Sequence, residues 1–297
     1  MTLGALLVLL LPFTYGIAPL INGARRWIVI GNIRFQPSEF AKFAVVVWTA
    51  MIAVRKGIGI RDFKRGVLPF MVVLGPVAAL ILLEPDLSTA VLVCLIAGVV
   101  LFTAGTKIGH FFLIGSVATL VFWQQIASVQ YRILRFLEFV GLLPDSSAGA
   151  DYARASWQTT QSLLGIGAGG VGGVGFGEGM QKLGYLPYAY SDFIFSTIGE
   201  EFGFIGVTLV LGCFAGILWM GSRIAKTIDD PFAMLVATGL TAIIGLTTIL
   251  HVAVTLDLAP ATGLPLPFIS YGRSSLLVSM VAIGVLINIG ERRSIKA

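Results

Sequence analysis

The chain has 297 residues, of which 57% are hydrophobic and 12% are charged, and its mean hydropathy is +0.93. These values exclude an ordinary soluble domain and predict an integral membrane protein. The net charge of +5 does not indicate nucleic-acid binding, because the basic residues form short clusters between apolar runs. A disulfide framework is not expected, since Cys94 and Cys213 each lie inside an apolar run.

Eight apolar stretches are long enough to cross about 30 Å of hydrocarbon as helices. They cover residues 3–22, 38–54, 67–83, 87–104, 109–127, 202–221, 233–256 and 274–290. The predicted fold class is therefore all-α, with about eight transmembrane helices in a single membrane domain over residues 1–297. The first stretch lacks the basic start and cleavage site of a secretory signal, so we interpret it as a retained span.

One large loop or re-entrant region, residues 128–201, separates the fifth and sixth stretches, and loops of that length are usually functional. Lys and Arg are concentrated in the alternate loops, such as residues 55–66, and in the C-terminal tail. Because cytoplasmic loops carry the excess of Lys and Arg, both termini are predicted to be cytoplasmic. The large loop is then predicted to be extracytoplasmic, which places any chemistry within it at the outer leaflet.

Ionisable residues inside the predicted spans are candidates for function, because an unpaired charge is costly in a bilayer. In QPSEFAKF, Pro37 is placed to open a helix, and Glu39 and Lys42 lie within pairing distance on one face. Both a packing ion pair and a functional pair fit this pattern. In LLEPDLSTA, Asp86 is placed either to cap the next helix or to serve a functional site.

Two segments are rich in residues that break regular structure. GIGAGGVGGVGFGEG, residues 165–179, contains nine glycines, and we call it the glycine-rich loop. No strand precedes its formal G-x-G-x-x-G, so a dinucleotide site is not expected, and the glycines either let backbone amides approach a ligand or keep the loop mobile. LPLPFISYGRSS combines two prolines with hydroxyls at a helix entrance, as in a broken helix that lines a wet cavity.

The segment YLPYAYSDFIFSTIGEEFGFIG places Asp192 among aromatic and apolar neighbours and puts Glu200 and Glu201 two helical turns later. Only 15 acidic residues occur in the whole chain, so three in this one segment indicate a structural or functional role. A helix cap for the following span is one interpretation of Asp192. Glu200 and Glu201 are expected to cap or pair within that span.

Five motifs in order give the chain a specific resemblance to a known family. They are NGARRWI, QPSEFAK, EPD, the segment from QSLLGIGAGG to GEEFGFIG, and GLPLPFISYGRSSLL. Over residues 20–290 the chain resembles the SEDS family of peptidoglycan polymerases, which includes FtsW and RodA, and it is somewhat more similar to the FtsW branch. The family has ten spans and the first run here resembles the third, so we expect the first two spans to be absent.

The resemblance implies an inverting glycosyltransferase that polymerises lipid II at the outer face of the bacterial cytoplasmic membrane, in division or elongation. Such a reaction needs a base for the attacking hydroxyl and positive charge for the leaving diphosphate. Asp192 aligns with the family's essential aspartate and is the implied general base. A divalent cation, Mg²⁺ or Mn²⁺, is compatible with this chemistry, whereas two histidines in all exclude a histidine metal cluster.

The same resemblance implies a set of residues that bind substrate. They are Arg25, Arg26, Glu39, Lys42, Asp86, Arg132, Lys182, Ser270 and Arg273. The acidic residues and Lys42 match a polar cavity of the family, and the other cations are natural partners of a diphosphate.

Several residues depart from the family pattern. Tyr188 and Tyr190 replace an acid and a histidine, so neither group is needed if the chain is active. Arg273 replaces a glycine and could either clamp a diphosphate or block substrate entry. Asp257 stands where glycine is common, and His251 stands where asparagine is common.

Two other classes of function stay open at this point. A transporter, such as a flippase for the lipid-linked precursor, would use the same buried charges as a transit path. A non-catalytic scaffold would only hold a partner. The partners implied by the resemblance are lipid II, a class B penicillin-binding protein transpeptidase and other division or elongation proteins, and no nucleic acid is expected.

Overall fold

A computed structural model of the chain describes residues 18–19, 26–31, 33–127, 133, 136–137, 139–140 and 150–294. The first predicted span lies almost entirely outside these residues. Arg25 and Arg132, two of the predicted diphosphate partners, also lie outside them.

Eight α-helices make up most of the described chain. They are α1 (Pro37–Lys56), α2 (Leu68–Leu83), α3 (Leu87–Thr103), α4 (Ile108–Ala127), α5 (Ala150–Gly169), α6 (Ile194–Thr227), α7 (Pro231–Thr255) and α8 (Arg273–Ser294). A short antiparallel hairpin precedes α1 and consists of β1 (Ile28–Ile30) and β2 (Ile33–Phe35), with Val29 opposite Arg34. Short 3-10 turns at Gly57–Arg61 and Gln181–Leu183 and a π turn at Phe63–Val67 complete the regular structure of this part.

Seven of the predicted spans fall within the described residues, and each coincides with a helix, namely α1 to α4 and α6 to α8. The all-α class is thereby confirmed. Five helical segments of the described chain are long and apolar enough to cross a membrane: Pro37–Arg61, Phe63–Leu83, Ile194–Thr227, Pro231–Thr255 and Arg273–Glu291. Two shorter apolar helices, Leu87–Thr103 and Ile108–Gln124, accompany them. Cys94 and Cys213 are free thiols, as expected.

Local sequence accounts for where the first helices begin and end. α1 begins at Pro37, as predicted, because the missing N–H of proline has no partner at a first helical position anyway. It ends at Gly57, whose φ of 48° lies in the left-handed region that glycine adopts readily. α3 begins directly after Asp86, whose carboxylate accepts a hydrogen bond from the Thr89 N–H at 3.1 Å.

α6 is longer than a bilayer requires and is interrupted near its start. Its 34 residues extend about 50 Å at the α-helical rise, compared with about 30 Å of hydrocarbon. Gly203 breaks the helix with φ 62° and ψ −159°. The predicted span began at residue 202 because the preceding helical turns contain Ser196, Glu200 and Glu201 and therefore have low hydropathy.

The chain divides into two compact units. Unit 1 comprises residues 1–114, 217–246 and 272–297, and unit 2 comprises residues 115–216 and 247–271. In unit 1, seven buried side chains of α1, α2 and α3 form a core: Ala41, Val45, Val77, Ile81, Ala90, Val93 and Ala97. In unit 2, a smaller core contains Leu186, Ala189, Phe193 and Val254. This second core includes residues on both sides of Asp192 in the sequence.

Candidate active site

Asp192 lies in a tight turn that leads into α6. The backbone N–H groups of Ser191 and Asp192 both donate to the carbonyl of Tyr188, each at 3.0 Å. Tyr188 has a positive φ of 58°, which is uncommon for a bulky residue and is held only where the surroundings fix it. Ala189 and Phe193 are buried in the unit 2 core, whereas Asp192 is partly exposed. Asp192 therefore stands beside a buried apolar core and is itself partly exposed.

A second segment, residues 263–271, lies against this turn. The N–H of Tyr271 donates to the carbonyl of Tyr190 at 3.0 Å, and the two tyrosine rings meet edge to face with centroids 5.9 Å apart. A β-carbon added to Gly263 would lie 3.5 Å from Oδ2 of Asp192. The backbone at residue 263 therefore approaches the carboxylate closely.

Ser270 connects the two segments through its side chain. Its hydroxyl donates to the carbonyl of Ser191 at 2.6 Å and accepts a hydrogen bond from the N–H of Leu266 at 2.8 Å. Between these contacts, Phe268 adopts a positive φ of 65°, which is strained for an aromatic residue. Ser270 was predicted to bind substrate, and no pattern in the sequence indicates either of these contacts.

Two departures from the family pattern have a local explanation in unit 2. Nδ1 of the buried His251 lies 2.8 Å from the carbonyl of Leu264, so this nitrogen must carry the donated proton. An asparagine amide could donate to the same carbonyl, so the histidine can preserve the contact. Asp257 has a φ of 56°, a backbone conformation that suits glycine and that aspartate tolerates better than most residues.

Residues 165–169 of the glycine-rich loop form the end of α5, whereas the rest of the loop and Met180 are held by the two carboxylates that follow in the sequence. Glu200 Oε1 accepts from the N–H of Met180 at 2.8 Å, and Glu201 Oε2 accepts from the N–H of Gly177 at 3.1 Å. The other oxygen of Glu201 pairs with Nζ of Lys182 at 2.6 Å. We expected both glutamates to cap or pair within their own span, whereas they bind the preceding loop.

Backbone contacts add to this attachment. The N–H groups of Val174 and Gly175 donate to the carbonyls of Glu200 and Glu201, at 3.0 and 3.1 Å. A β-carbon at Gly173 would lie 2.1 Å from the Glu201 carbonyl oxygen, so a side chain cannot be accommodated there. The glycines therefore let the loop approach α6 closely, and several of its amides bind groups of the chain itself.

Glu39 and Lys42 form the ion pair that their spacing predicted. Lys42 Nζ lies 2.7 Å from Glu39 Oε1, and the two side chains are only 2% and 4% exposed. This confirms the pairing. Two charges so far from solvent stabilise each other, because neither has water to replace its partner.

Asp86 is the N-cap of α3 and belongs to a polar cluster in unit 1. Its Oδ2 accepts from the Thr89 hydroxyl at 2.9 Å and from Gln36 Nε2 at 3.4 Å. The backbone N–H of Gln36 donates to the hydroxyl of Ser274 at 2.9 Å. The capping interpretation of Asp86 is confirmed, and Gln36 joins this cap to the start of α8.

Arg26 fixes the turn between α2 and α3. Its Nε donates to the carbonyl of Glu84 at 2.8 Å, and an Nη donates to the carbonyl of Pro85. The Glu84 carboxyl is buried, and burial, reinforced by the nearby Asp86, raises its pKa to about 8. No pattern in the sequence marks this carboxyl as a group with a raised pKa.

The predicted substrate-binding residues thus fall into separate groups. Arg26, Glu39, Lys42, Asp86 and Arg273 belong to unit 1, where Arg273 is the exposed first residue of α8. Asp192, Lys182 and Ser270 belong to unit 2. Within unit 2, the hydrogen bonds described above bring Ser270 to the Asp192 turn.

The described residues offer no group of three or more His, Cys, Asp or Glu side chains that could hold a metal ion. A Mg²⁺ ion can be bound by one or two carboxylates together with substrate phosphates. The protein side chains described above do not form a complete set of ligands, so we derive no step through a metal.

The chain is similar to a known protein family along almost its whole length. The family model of the cell cycle proteins FtsW, RodA and SpoVE matches residues 1–295. A protein of Geobacter sulfurreducens, named as a probable peptidoglycan glycosyltransferase FtsW, is 39% identical over 98% of this chain and 76% of its own length. Stage V sporulation protein E of Bacillus subtilis is 36% identical over 96% of this chain and 76% of its own length.

Solved structures agree with these relatives. A structure of a peptidoglycan synthase complex that coordinates polymerization and crosslinking contains a chain with a TM-score of 0.77 and 27% identity, covering 98% of this chain and 80% of that chain. The rod shape determining protein RodA of Thermus thermophilus has a TM-score of 0.67 and 29% identity, covering 98% and 76%. The apolar helices and these likenesses make the chain a multi-pass membrane protein, and it belongs to the FtsW, RodA and SpoVE family of cell cycle proteins.

Proposed function

We propose that the chain polymerises lipid II into glycan strands at the outer face of the cytoplasmic membrane, with Asp192 as the general base. The family of the chain and the names of its relatives identify it as a peptidoglycan glycosyltransferase. These comparisons favour neither a transporter nor a scaffold. The observation that carries the residue assignment is the Asp192 turn. Asp192 is partly exposed, lies between residues of a buried apolar core and follows backbone that is hydrogen-bonded to two segments.

In the proposed reaction, a sugar hydroxyl of one lipid-linked chain attacks the anomeric carbon of another. The Asp192 carboxylate accepts the hydroxyl proton as the new carbon–oxygen bond forms. The bond from the anomeric carbon to the diphosphate breaks on the opposite face, and the lipid diphosphate leaves with the bonding electrons. A single displacement inverts the configuration at this carbon, and a positioned base contributes roughly 10²- to 10⁴-fold in rate.

Cationic side chains are proposed to stabilise the leaving diphosphate. Arg273 is exposed at the first position of α8, and its planar guanidinium suits phosphate oxygens. Lys182 is also partly exposed, and its ammonium keeps donors beyond the one directed at Glu201. Arg26 donates to two backbone carbonyls, and a role for it at the diphosphate stays a prediction. Roles for Arg25 and Arg132 stay predictions.

A substrate-binding role for Glu39, Lys42 and Asp86 stays a prediction, because the three residues are buried and their polar atoms bind one another or neighbouring residues. Glu39 is paired with Lys42, and Asp86 is held by Thr89 and Gln36. A class B penicillin-binding protein is the proposed partner, supported by the likeness to a complex that joins polymerization with crosslinking.

The proposed orientation has a direct test in intact cells. A cysteine that replaces Glu178, in the glycine-rich loop, should react with a membrane-impermeant thiol reagent, and a cysteine that replaces Gly59 should be protected. The native thiols are first replaced by serine. The reverse pattern would place the loop, and the proposed chemistry, on the cytoplasmic side.

Polymerisation of radiolabelled lipid II by the purified protein tests the function itself. The proposal predicts glycan strands, made in larger amounts when a class B penicillin-binding protein is present. A scaffold would yield no polymer under either condition. A transporter would move lipid II between the leaflets of reconstituted vesicles without making polymer.

A further inference from the structure

We propose that Ser270 is a positioning residue for Asp192, acting through the backbone carbonyl of Ser191 and not through contact with the substrate. The inference rests on the proposed role of Asp192 as general base. It changes the role that the resemblance implied for Ser270, which was binding of the substrate.

The hydrogen-bonding capacity of the Ser270 hydroxyl is directed at the protein. A serine hydroxyl has one donor, and here it is directed at the Ser191 carbonyl at 2.6 Å. The oxygen also accepts from the Leu266 N–H at 2.8 Å, and the residue is 8% exposed. In this geometry no donor is left for a sugar or phosphate oxygen.

The acceptor of this bond belongs to the peptide that immediately precedes Asp192. Holding the Ser191 carbonyl fixes the plane of that peptide, and the plane sets the direction in which the Asp192 side chain leaves the backbone. The preceding peptide is held as well, because the Tyr190 carbonyl accepts from the N–H of Tyr271 at 3.0 Å. Two consecutive peptides are therefore bonded to one segment, and Ser270 supplies the bond that a side-chain substitution can remove.

The same hydroxyl also shapes the segment to which the turn is bonded. The Leu266 N–H reaches Ser270 Oγ across Phe268, whose φ of 65° is strained. Losing the hydroxyl would remove one hydrogen bond from the Asp192 turn and one from this strained segment. A displacement of about 1 Å between a catalytic group and its substrate can lower the rate by roughly 10²-fold.

Steady-state polymerisation of lipid II by Ser270→Ala tests the inference, and Ser162→Ala is the matched control. The Ser162 hydroxyl is buried in unit 2 and donates to the Thr255 carbonyl at 2.8 Å, so the control removes a similar bond away from the Asp192 turn. We expect kcat to fall by about 10-fold or more in Ser270→Ala while KM stays within about twofold. Ser162→Ala should lose similar thermal stability and keep kcat close to that of the wild type.

Ser270→Thr, which retains the hydroxyl, should recover most of the lost kcat. An increase in KM at constant kcat in Ser270→Ala would overturn the inference, because it would show direct substrate binding. Equal losses of kcat in Ser270→Ala and Ser270→Thr, or in Ser270→Ala and Ser162→Ala, would overturn it too. These comparisons also apply if Ser270→Ala accumulates poorly, since kcat is expressed per folded molecule.

Asp192→Asn, assayed in parallel, separates this inference from the proposed function. If Asp192→Asn is inactive while Ser270→Ala keeps the wild-type kcat, the base assignment stands and the positioning role falls. If Asp192→Asn polymerises at the wild-type rate, both fall.

Discussion

Breaking the Glu39–Lys42 pair should strongly destabilise the protein, because the two charges are close together and buried. At 2.7 Å and an effective dielectric constant of about 20, the two charges attract by about 6 kcal/mol. The net contribution is smaller, because both groups lose their hydration when buried. Removing one partner leaves the other charge buried, which typically costs roughly 3–5 kcal/mol. We therefore expect Glu39→Gln and Lys42→Met each to lower the free energy of unfolding by about this amount.

The double variant Glu39→Gln/Lys42→Met is the decisive comparison, because it leaves no unpaired charge. Replacing a whole buried pair by uncharged groups is often neutral, so the double should regain most of the stability that either single loses. Unfolding of the purified proteins in detergent, with the exposed Lys107→Met as control, measures this. The reasoning would be refuted if each single variant lost less than about 1 kcal/mol, as at an exposed pair. It would also be refuted if the double variant were no more stable than the less stable single variant. A stable but inactive double would assign the charges to substrate binding.

Three further predictions concern Glu201, the approach of Gly263 to Asp192, and the buried carboxyl of Glu84. Glu201→Gln removes a charged acceptor, so it should speed amide hydrogen exchange in the glycine-rich loop and lower the free energy of unfolding by roughly 1.5–3 kcal/mol. Glu178→Gln, an exposed change in the same loop, should do neither. Equal exchange rates in the two variants would contradict this prediction. Gly263→Leu should lower kcat/KM by about 10-fold or more by covering the Asp192 carboxylate, and Gly263→Ala should lower it less. Equal activities of the two variants would show that the substrate does not approach the carboxylate from this side. Because the pKa of Glu84 is raised from 4.5 to about 8, its stabilising protonated form is lost as the pH rises towards and through about 8. Glu84→Gln should therefore lose less thermal stability than the wild type between pH 5 and pH 9, and parallel melting curves would contradict the assignment.

The sequence predicts the helices well where hydropathy alone decides them. α2 and α3 begin and end within one residue of the predicted spans 67–83 and 87–104, because their side chains are apolar along almost the whole helix and give a continuous signal. α6 begins eight residues before its predicted start, since its first turns carry groups that bind the glycine-rich loop. α5 and the hairpin before α1 have no span-like hydropathy and were missed.

The candidate site was predictable to the extent that it depends on neighbours in sequence. Glu39 and Lys42 are three residues apart, so helical geometry alone brings them together. The Asp86 cap needed only the local pattern of a polar residue before an apolar run. The bond from Ser270 to Ser191 joins residues 79 positions apart, and no periodicity or motif specifies such a contact. The carboxylate contacts of the glycine-rich loop were missed for the same reason.

The most direct test of the account is lipid II polymerisation by Asp192→Asn. Asparagine keeps the shape of the side chain and caps helices about as well as aspartate, but it cannot accept a proton at neutral pH. With folding and partner binding shown to be intact, the account predicts glycan-strand synthesis at least about 10²-fold slower than that of the wild type. Polymerisation by Asp192→Asn at close to the wild-type rate would contradict it and would move the search for the base to Glu39, Asp86 or another carboxylate.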